Sequence, residues 1–154
     1  MSLEEELRTE RVSHLDLSGF THISSGTSIR NALNALRADK HNVALITDGG
    51  RLIGIFTDRD VLRKVAGNTD ILDEAIDTVM TRDPITVSPE TSAADALKLM
   101  DEHHFRNLPA VDANGVVIGD MTHQAVIHYL AARYPQEVLN RPPTQQFPRK
   151  AEGG

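Results

Sequence analysis

The feature that most constrains this chain is an internal repeat. Thr27-Ser28 reappears as Thr91-Ser92, Ala32-Leu33 as Ala96-Leu97, Asn42 as Asn107, Gly50 as Gly115, Ile53-Gly54 as Ile118-Gly119, and Thr57 as Thr122. The offset is 64 residues up to the end of the first helix of each half and 65 beyond it, as if one residue were inserted there. A unit of about 50 residues buries too little apolar surface to stand alone. Two such units must therefore close on each other, sheet to sheet, about a pseudo-twofold axis.

Each unit reads as β-α-β-β-α. In the first, Thr27 or Ser28 caps a helix whose apolar residues Ile29, Ala32, Leu33 and Leu36 follow the i, i+3, i+4, i+7 spacing of one buried face. Val43 to Thr47 and Leu52 to Phe56 are short apolar runs on either side of Asp48-Gly49-Gly50, the pattern of a hairpin. Asp58 to Ala66 reads as a helix stopped near Gly67-Asn68. The second unit repeats this with a strand at Ile85 to Val87 and Ser92 capping a helix through a Ser-x-x-Asp pattern ending at Asp95. A hairpin around Asn114-Gly115 and a helix through Val126, Ile127 and Leu130 complete it. Between the units, Ile71, Leu72, Ala75, Ile76 and Val79 keep a helical stripe and predict an ordered linker helix. The expected organisation is an α/β (α+β) chain with an N-terminal segment at 1–14, a first unit at 15–69, a linker helix at 70–79, a second unit at 80–134 and a flexible proline-spaced tail at 135–154.

Composition removes several function classes. Net charge is −6, which opposes a nucleic-acid binder working by phosphate neutralisation, and aromatic residues are only 4%, too few for base-stacking platforms. Cysteine is absent, which excludes disulfides and thiol chemistry. No apolar run reaches the roughly 18 residues of a membrane span, so a cytoplasmic protein without membrane partners is expected. There is no Gly-x-Ser-x-Gly elbow, His-Glu-x-x-His pair or phosphate loop, so no catalytic residue is assigned. Seven histidines are present, but the adjacent His103 and His104 point about 100° apart around a helix and cannot chelate together, so no metal is expected.

Chemistry gathers at Gly54-Ile55-Phe56-Thr57-Asp58-Arg59-Asp60, where an apolar strand runs into a helix start. Free amides and the positive end of a helix suit a phosphate, and the Thr57 hydroxyl stands beside them. Asp60 carries the wrong charge for a phosphate, but an ionised carboxylate accepts hydrogen bonds and suits a ribose diol. The same residues would serve equally as ordinary helix caps.

The repeat, this motif, Val79-Met80-Thr81-Arg82-Asp83-Pro84-Ile85-Thr86-Val87, and Phe105-Arg106-Asn107-Leu108-Pro109-Ala110-Val111-Asp112 together resemble a tandem pair of cystathionine-β-synthase (CBS) domains over about Leu15 to Tyr134. The resemblance implies a regulatory sensor that binds an adenosine compound between two sheets, forms a homodimer and acts on a separate or fused protein. By it, Thr57 and Asp60 take phosphate and ribose, and Ile55 lines the adenine pocket. His41 and its counterpart Arg106 reach the phosphates. Arg59, read from its position alone, either touches phosphate or pairs with a neighbouring Asp on the helix surface. The strand from Met80 through Thr81 and Asp83 to Ile85 reads the base with its backbone, Ile85 packing on the ring. AMP, ADP, ATP, S-adenosylmethionine and NAD share the adenosine that Asp60 would hold. The second motif departs from the pattern: Ala125 stands where the ribose carboxylate should be and Asp120 where Ile55 offers an apolar wall. Two unequal clefts follow as an expectation, and a dimerisation scaffold with a decayed site is the alternative.

Overall fold

Two helices with almost the same caps frame the architecture of this computed structural model, which describes residues 2–133. Helix α2 (Ile29–Asp39) starts at Ser28, whose hydroxyl accepts from the Asn31 amide; α4 (Ala93–His103) starts at Ser92, whose hydroxyl accepts from the Asp95 amide. Both end on a left-handed residue, Lys40 at φ 59° and His104 at φ 57°. Around them the chain runs α1 (Leu3–Thr9), a 3₁₀ turn (Val12–His14), β1 (Thr21–Ser24), α2, β2 (Val43–Asp48), β3 (Arg51–Thr57) and α3 (Asp58–Asp60). After two further 3₁₀ turns come β4 (Thr81–Arg82), α4, β5 (Asn107–Val111), β6 (Val117–Thr122) and α5 (His123–Arg133).

The first sheet has the order β1-β2-β3-β4, with β1 and β2 parallel and the other neighbours antiparallel. The second has β5 and β6 antiparallel, and its flanks copy the first in reduced form. Val87 makes a parallel bridge to Ala110, as β1 does to β2, and the Asp120 amide donates to the Leu17 carbonyl at 2.9 Å on the other side. One core collects Ile23, Ile29, Ala32, Ala44, Ile46 and Phe56; the other collects Val87, Ala93, Ala96, Met100, Leu108 and Met121. Alternate residues Val43, Leu45 and Pro109 belong to neither core yet are fully buried, which places them between the two sheets. The hairpin ends also join, the Leu52 amide donating to the Gly115 carbonyl at 3.0 Å.

Each core is completed by chain from outside its own repeat. Val12, Leu15 and Leu17 pack into the second core, and Ile76, Val79 and Met80 into the first. The same backbone pairing anchors both: the Ala93 amide donates to the Glu10 carbonyl and the Ile29 amide to the Glu74 carbonyl, each at 2.8 Å. The motif glycines admit these crossing segments. A Cβ on Gly54 would stand 2.3 Å from Met80 Sδ, and one on Gly119 would stand 2.3 Å from Leu17 Cβ and 2.7 Å from the Leu17 carbonyl oxygen.

Four expectations need correction. The segment at 70–79 is not a continuous helix but two 3₁₀ turns, Thr69–Ile71 and Ile76–Thr78, because an apolar spacing of three or four fits separate single turns anchored in a core as well as a helix. Asp58 to Ala66 is one α turn followed by a π turn at Val61–Val65, closed by the Ala66 amide on the Val61 carbonyl at 2.8 Å. The strand expected at Ile85 to Val87 shrinks to the single bridge at Val87, while the ladder forms earlier, at Thr81–Arg82. Finally, pairing sets Val43 opposite Thr57 and Asn107 opposite Thr122, so the 64-residue offset persists through β5 and the extra residue lies in the second hairpin turn. The counterpart of Arg106 is therefore Asn42, and that of His41 is Phe105. Tyr134 and the tail at 135–154 lie outside the described residues.

One buried polar group stands out. Asp120 is fully buried; its Oδ2 accepts from Asn107 Nδ2 at 2.8 Å and its Oδ1 has no partner. Burial pushes its pKa up to about 7, against a smaller lowering effect of the Asn107 amide.

Two predictions follow from this packing. Gly119→Ala meets backbone and costs about 1–3 kcal/mol, whereas Gly54→Ala meets the movable Met80 thioether and costs less; equal urea midpoints for the two variants would contradict this. For Asp120, the folded state holds a proton that the unfolded chain releases from the ordinary value of 3.8 upward. Its stabilising contribution is present below that value and is lost as pH rises to about 7, on the order of a few kcal/mol. Glu10, Asp16 and Asp77, lowered chiefly by hydrogen bonds from His14, Ser18 and Ser25, act at lower pH. Urea unfolding of wild type and Asp120→Asn at pH 5 and pH 8 checks the effect: wild type loses stability relative to the variant, and parallel behaviour would refute it.

Candidate functional site

The strand β3 ends where its side chains alternate between core and inter-sheet face. Phe56 is buried in the core, while Ile55 and Thr57 look the other way, into a cleft of about 360 Å³ between the two units. The first unit contributes Ile55, Thr57, Arg59, Asp60 and Arg63; β3's neighbour β4 contributes Thr81, and the chain leaving it contributes Asp83, Pro84 and Ile85. Asp83 adopts a left-handed conformation at φ 49°, which turns the chain from β4 toward Pro84 and Ile85. The far wall comes from the second unit, where the left-handed cap at His104 ends α4 and delivers Phe105, Arg106, Asn107 and Pro109.

Thr57 and Asp60 hold each other in a reciprocal cap. The Thr57 amide donates to Asp60 Oδ2 at 3.0 Å, and the Asp60 amide approaches the Thr57 hydroxyl oxygen at 3.5 Å. Asp60 Oδ1 faces Lys64 Nζ at 3.5 Å, and the same ammonium donates to the Val79 carbonyl at 2.8 Å. The Asp60 side chain, 13% exposed, is thus oriented from two directions. Arg106 donates through Nη2 to Asp58 Oδ1 at 2.7 Å, an ion pair that spans the two units at the rim. The arrangement offers acceptors (Asp60, Asp83), guanidinium donors (Arg59, Arg63, Arg106) and apolar surface (Ile55, Pro84, Ile85, Phe105) around one space. That combination suits a flat apolar ring joined to a polyhydroxyl and an anion.

Of the ten residues singled out from the sequence, Ile55, Thr57, Arg59, Asp60, Thr81, Asp83, Ile85 and Arg106 line this cleft. His41 and Met80 do not. His41 lies against Thr21, its Nδ1 3.2 Å from the hydroxyl oxygen, and by the register above it is the first unit's counterpart of Phe105. Met80 is buried under Gly54 in the first core. Arg63, Pro84, His104, Phe105, Asn107 and Pro109 were not singled out. Arg63 falls four residues after Arg59, and the others flank Ile85 and Arg106, so proximity in sequence was the available signal.

The equivalent position in the second half is built differently. Thr122 caps α5, its hydroxyl accepting from the Ala125 amide at 2.9 Å, and Ala125 is buried. Asp120 does not line the open cleft; its Oδ2 is committed to the Asn107 amide. Among the described residues no group of three or more His, Asp or Glu side chains is placed to hold a metal ion. No helix among them is long and apolar enough to cross a membrane.

Comparison with known proteins agrees with this architecture. The family model for the CBS domain matches residues 12–67 and 75–132. The CBS domain-containing protein CBSCBSPB5 of Arabidopsis thaliana is 33% identical over 141 residues, covering 90% of this chain and 26% of that protein. Arabinose 5-phosphate isomerase KdsD of Pseudomonas aeruginosa is 35% identical over 114 residues, covering 73% of this chain and 35% of the isomerase. The chain thus spans about a quarter to a third of these relatives. Among solved structures, CBSX2 in complex with AMP superposes with a TM-score of 0.71 at 26% identity, covering 80% of this chain and 98% of CBSX2. The CBS domain protein PAE2072 from Pyrobaculum aerophilum, complexed with AMP, gives 0.67 at 25% identity over 79% of this chain and 98% of that one. Two matched repeats, interlocked through their crossing segments around one inter-sheet cleft, make this chain a member of the CBS-domain family, as a tandem pair.

Proposed function

We propose that this chain is a non-catalytic regulatory module that senses an adenosine-containing nucleotide in the Thr57–Asp60 cleft. The observation that carries the reading is the convergence of that cleft: Thr57 and Asp60 from one unit face Arg106 of the other, with Ile55 and Ile85 as apolar walls between them. Asp60 accepts the ribose hydroxyls, Ile55 and Ile85 sandwich the base, and Thr57 with the arginines binds phosphate. The complexes of CBSX2 and PAE2072 with AMP support the ligand class. The match to one part of a longer isomerase supports a role in which the bound nucleotide acts on another domain or protein.

AMP at about 100 times its dissociation constant stabilises the fold by roughly 2.7 kcal/mol, a rise in melting temperature of about 5 °C or more. Asp60→Ala abolishes that rise, measured from the variant's own ligand-free melting point because the cap is lost as well. Absence of any shift with AMP, ADP, ATP, S-adenosylmethionine or NAD at millimolar concentration refutes the reading.

Occupancy is unequal between the halves. A charge-assisted hydrogen bond contributes about 1.5–3 kcal/mol, so Ala125 in place of a carboxylate weakens the second position at least about tenfold. Calorimetry is expected to give one site per chain that survives Thr122→Val; two equivalent sites would contradict it.

The module also works as a homodimer. Leu62 and Ile127 occupy equivalent places on the two motif helices, and their exposures of 74% and 54% leave apolar surface on both. The apolar stripe of Ile29, Leu33, Ala93 and Leu97 on α2 and α4 is instead packed into or against the two cores. Light scattering is expected to give about twice 16.9 kDa for wild type and to fall toward 16.9 kDa for Leu62→Asp combined with Ile127→Asp; a monomeric wild type at tens of micromolar excludes the dimer.

A further inference from the structure

Resting on that reading of the cleft, we infer that Asp58 is a selectivity residue: it competes with the ligand's phosphate for Arg106 and so sets how strongly the site prefers a nucleotide over its uncharged nucleoside. Asp58 and Arg106 pair at 2.7 Å across the rim, with side-chain exposures of 44% and 54%. Both ends are accessible enough to separate, and each is tied to the site by its neighbour, since Asp58 follows Thr57 and Arg106 itself lines the cleft. The backbone of Asp58 stays in place regardless of its side chain, because its amide donates to the Asn42 carbonyl at 3.1 Å.

The surrounding charges make Arg106 the contested cation. Asp60 faces Lys64, not an arginine, and Arg59 and Arg63 form no ion pair among the described residues. Those two are available to a phosphate without displacement of any carboxylate. Arg106 alone must exchange one anion for another. A phosphate can take the planar guanidinium with two oxygens, and the released Asp58 carboxylate returns to water at little cost because it is already half exposed. The exchange therefore runs in favour of phosphate but at a discount equal to the ion pair broken. Adenosine has no anion to offer and leaves the pair intact. The second half has no equivalent, since Arg106 corresponds to Asn42 and Asp58 to His123.

The experiment is a double-mutant cycle read by calorimetry with AMP and with adenosine, using wild type, Asp58→Asn, Arg106→Gln and the double variant. Asp58→Asn is expected to tighten AMP by roughly two- to five-fold, the range of an exposed ion pair, and to leave adenosine unchanged. In the Arg106→Gln background the same substitution is expected to change nothing. A gain that persists without Arg106 means simple through-space repulsion and overturns the inference, as does an equal effect on both ligands or no effect on AMP. If AMP binds wild type but ignores Asp58→Asn, the inference fails while the nucleotide reading stands. If neither ligand binds any of the four proteins, both fail.

Discussion

The fold depends on two chain crossings that admit no side chain. Leu17 passes over Gly119 and Met80 passes over Gly54, so close that a methyl group at either glycine would stand 2.3 Å from the crossing residue. Each crossing carries apolar residues into a core that its own repeat leaves unfinished: Val12, Leu15 and Leu17 into the second, Ile76, Val79 and Met80 into the first. Burying side chains of this size contributes about 1.5–3 kcal/mol each, a large share of the stability of a small domain. The halves are therefore interlocked by exchange of chain as well as by the sheet faces that meet between them. The cleft is a by-product of the crossing. After covering Gly54 the chain continues as Thr81, Asp83, Pro84 and Ile85, and this exit path is one wall of the site.

The inter-sheet layer is where the two repeats differ most. The first sheet places Val43, Leu45 and Ile55 there, and the second places Asn107, Pro109 and Asp120 at the matching positions. An aliphatic layer has thus been half exchanged for a polar pair. The Asn107 amide satisfies one carboxyl oxygen, and burial of the other favours the neutral acid, which lowers the cost of having it inside. The pairing commits Asp120 to its neighbour on β5 and keeps it out of the open cleft.

Much of this was legible in the chain. Identities at a nearly constant offset reveal a repeat without any knowledge of packing, and caps such as Ser28 and Ser92 are local chemistry that tertiary structure did not override. The motif junction at Thr57–Asp60 was readable for the same reason, and eight of the residues drawn from it and its partner strands meet in one cleft. What escaped was whatever depends on register or on long-range contact. Matching Asn42 with Asn107 misplaces the extra residue, because a shared residue type carries no information on strand pairing; a one-residue slip reverses which face a side chain occupies. That slip made His41 the partner of Arg106. The linker's spacing predicts a helix that does not form, because spacing reports which residues are buried, not how many turns join them. Met80 resembled a site residue since it begins the partner strand, but the absence of a side chain at Gly54 draws it into the core.

The cleft also shows why a unit with an altered motif keeps an exacting job. Thr57, Arg59 and Asp60 belong to the first repeat, yet Phe105, Arg106 and Asn107 on the facing wall belong to the second. The second repeat carries Ala125 where the first has Asp60, and it is still held to a definite backbone path from α4 into β5. That path is set by the left-handed cap at His104 and by the Phe105 amide, which donates to the Met100 carbonyl at 2.8 Å. Asp120 on β6 strengthens the constraint, since its Oδ2 accepts from the Asn107 side-chain amide. Changes confined to side chains of the second motif that stand outside the first cleft leave that cleft intact, whereas changes to the second repeat's strand register or its helix cap displace Arg106 and Asn107 together. Geometry thus divides the second repeat into groups free to vary and a frame that is not.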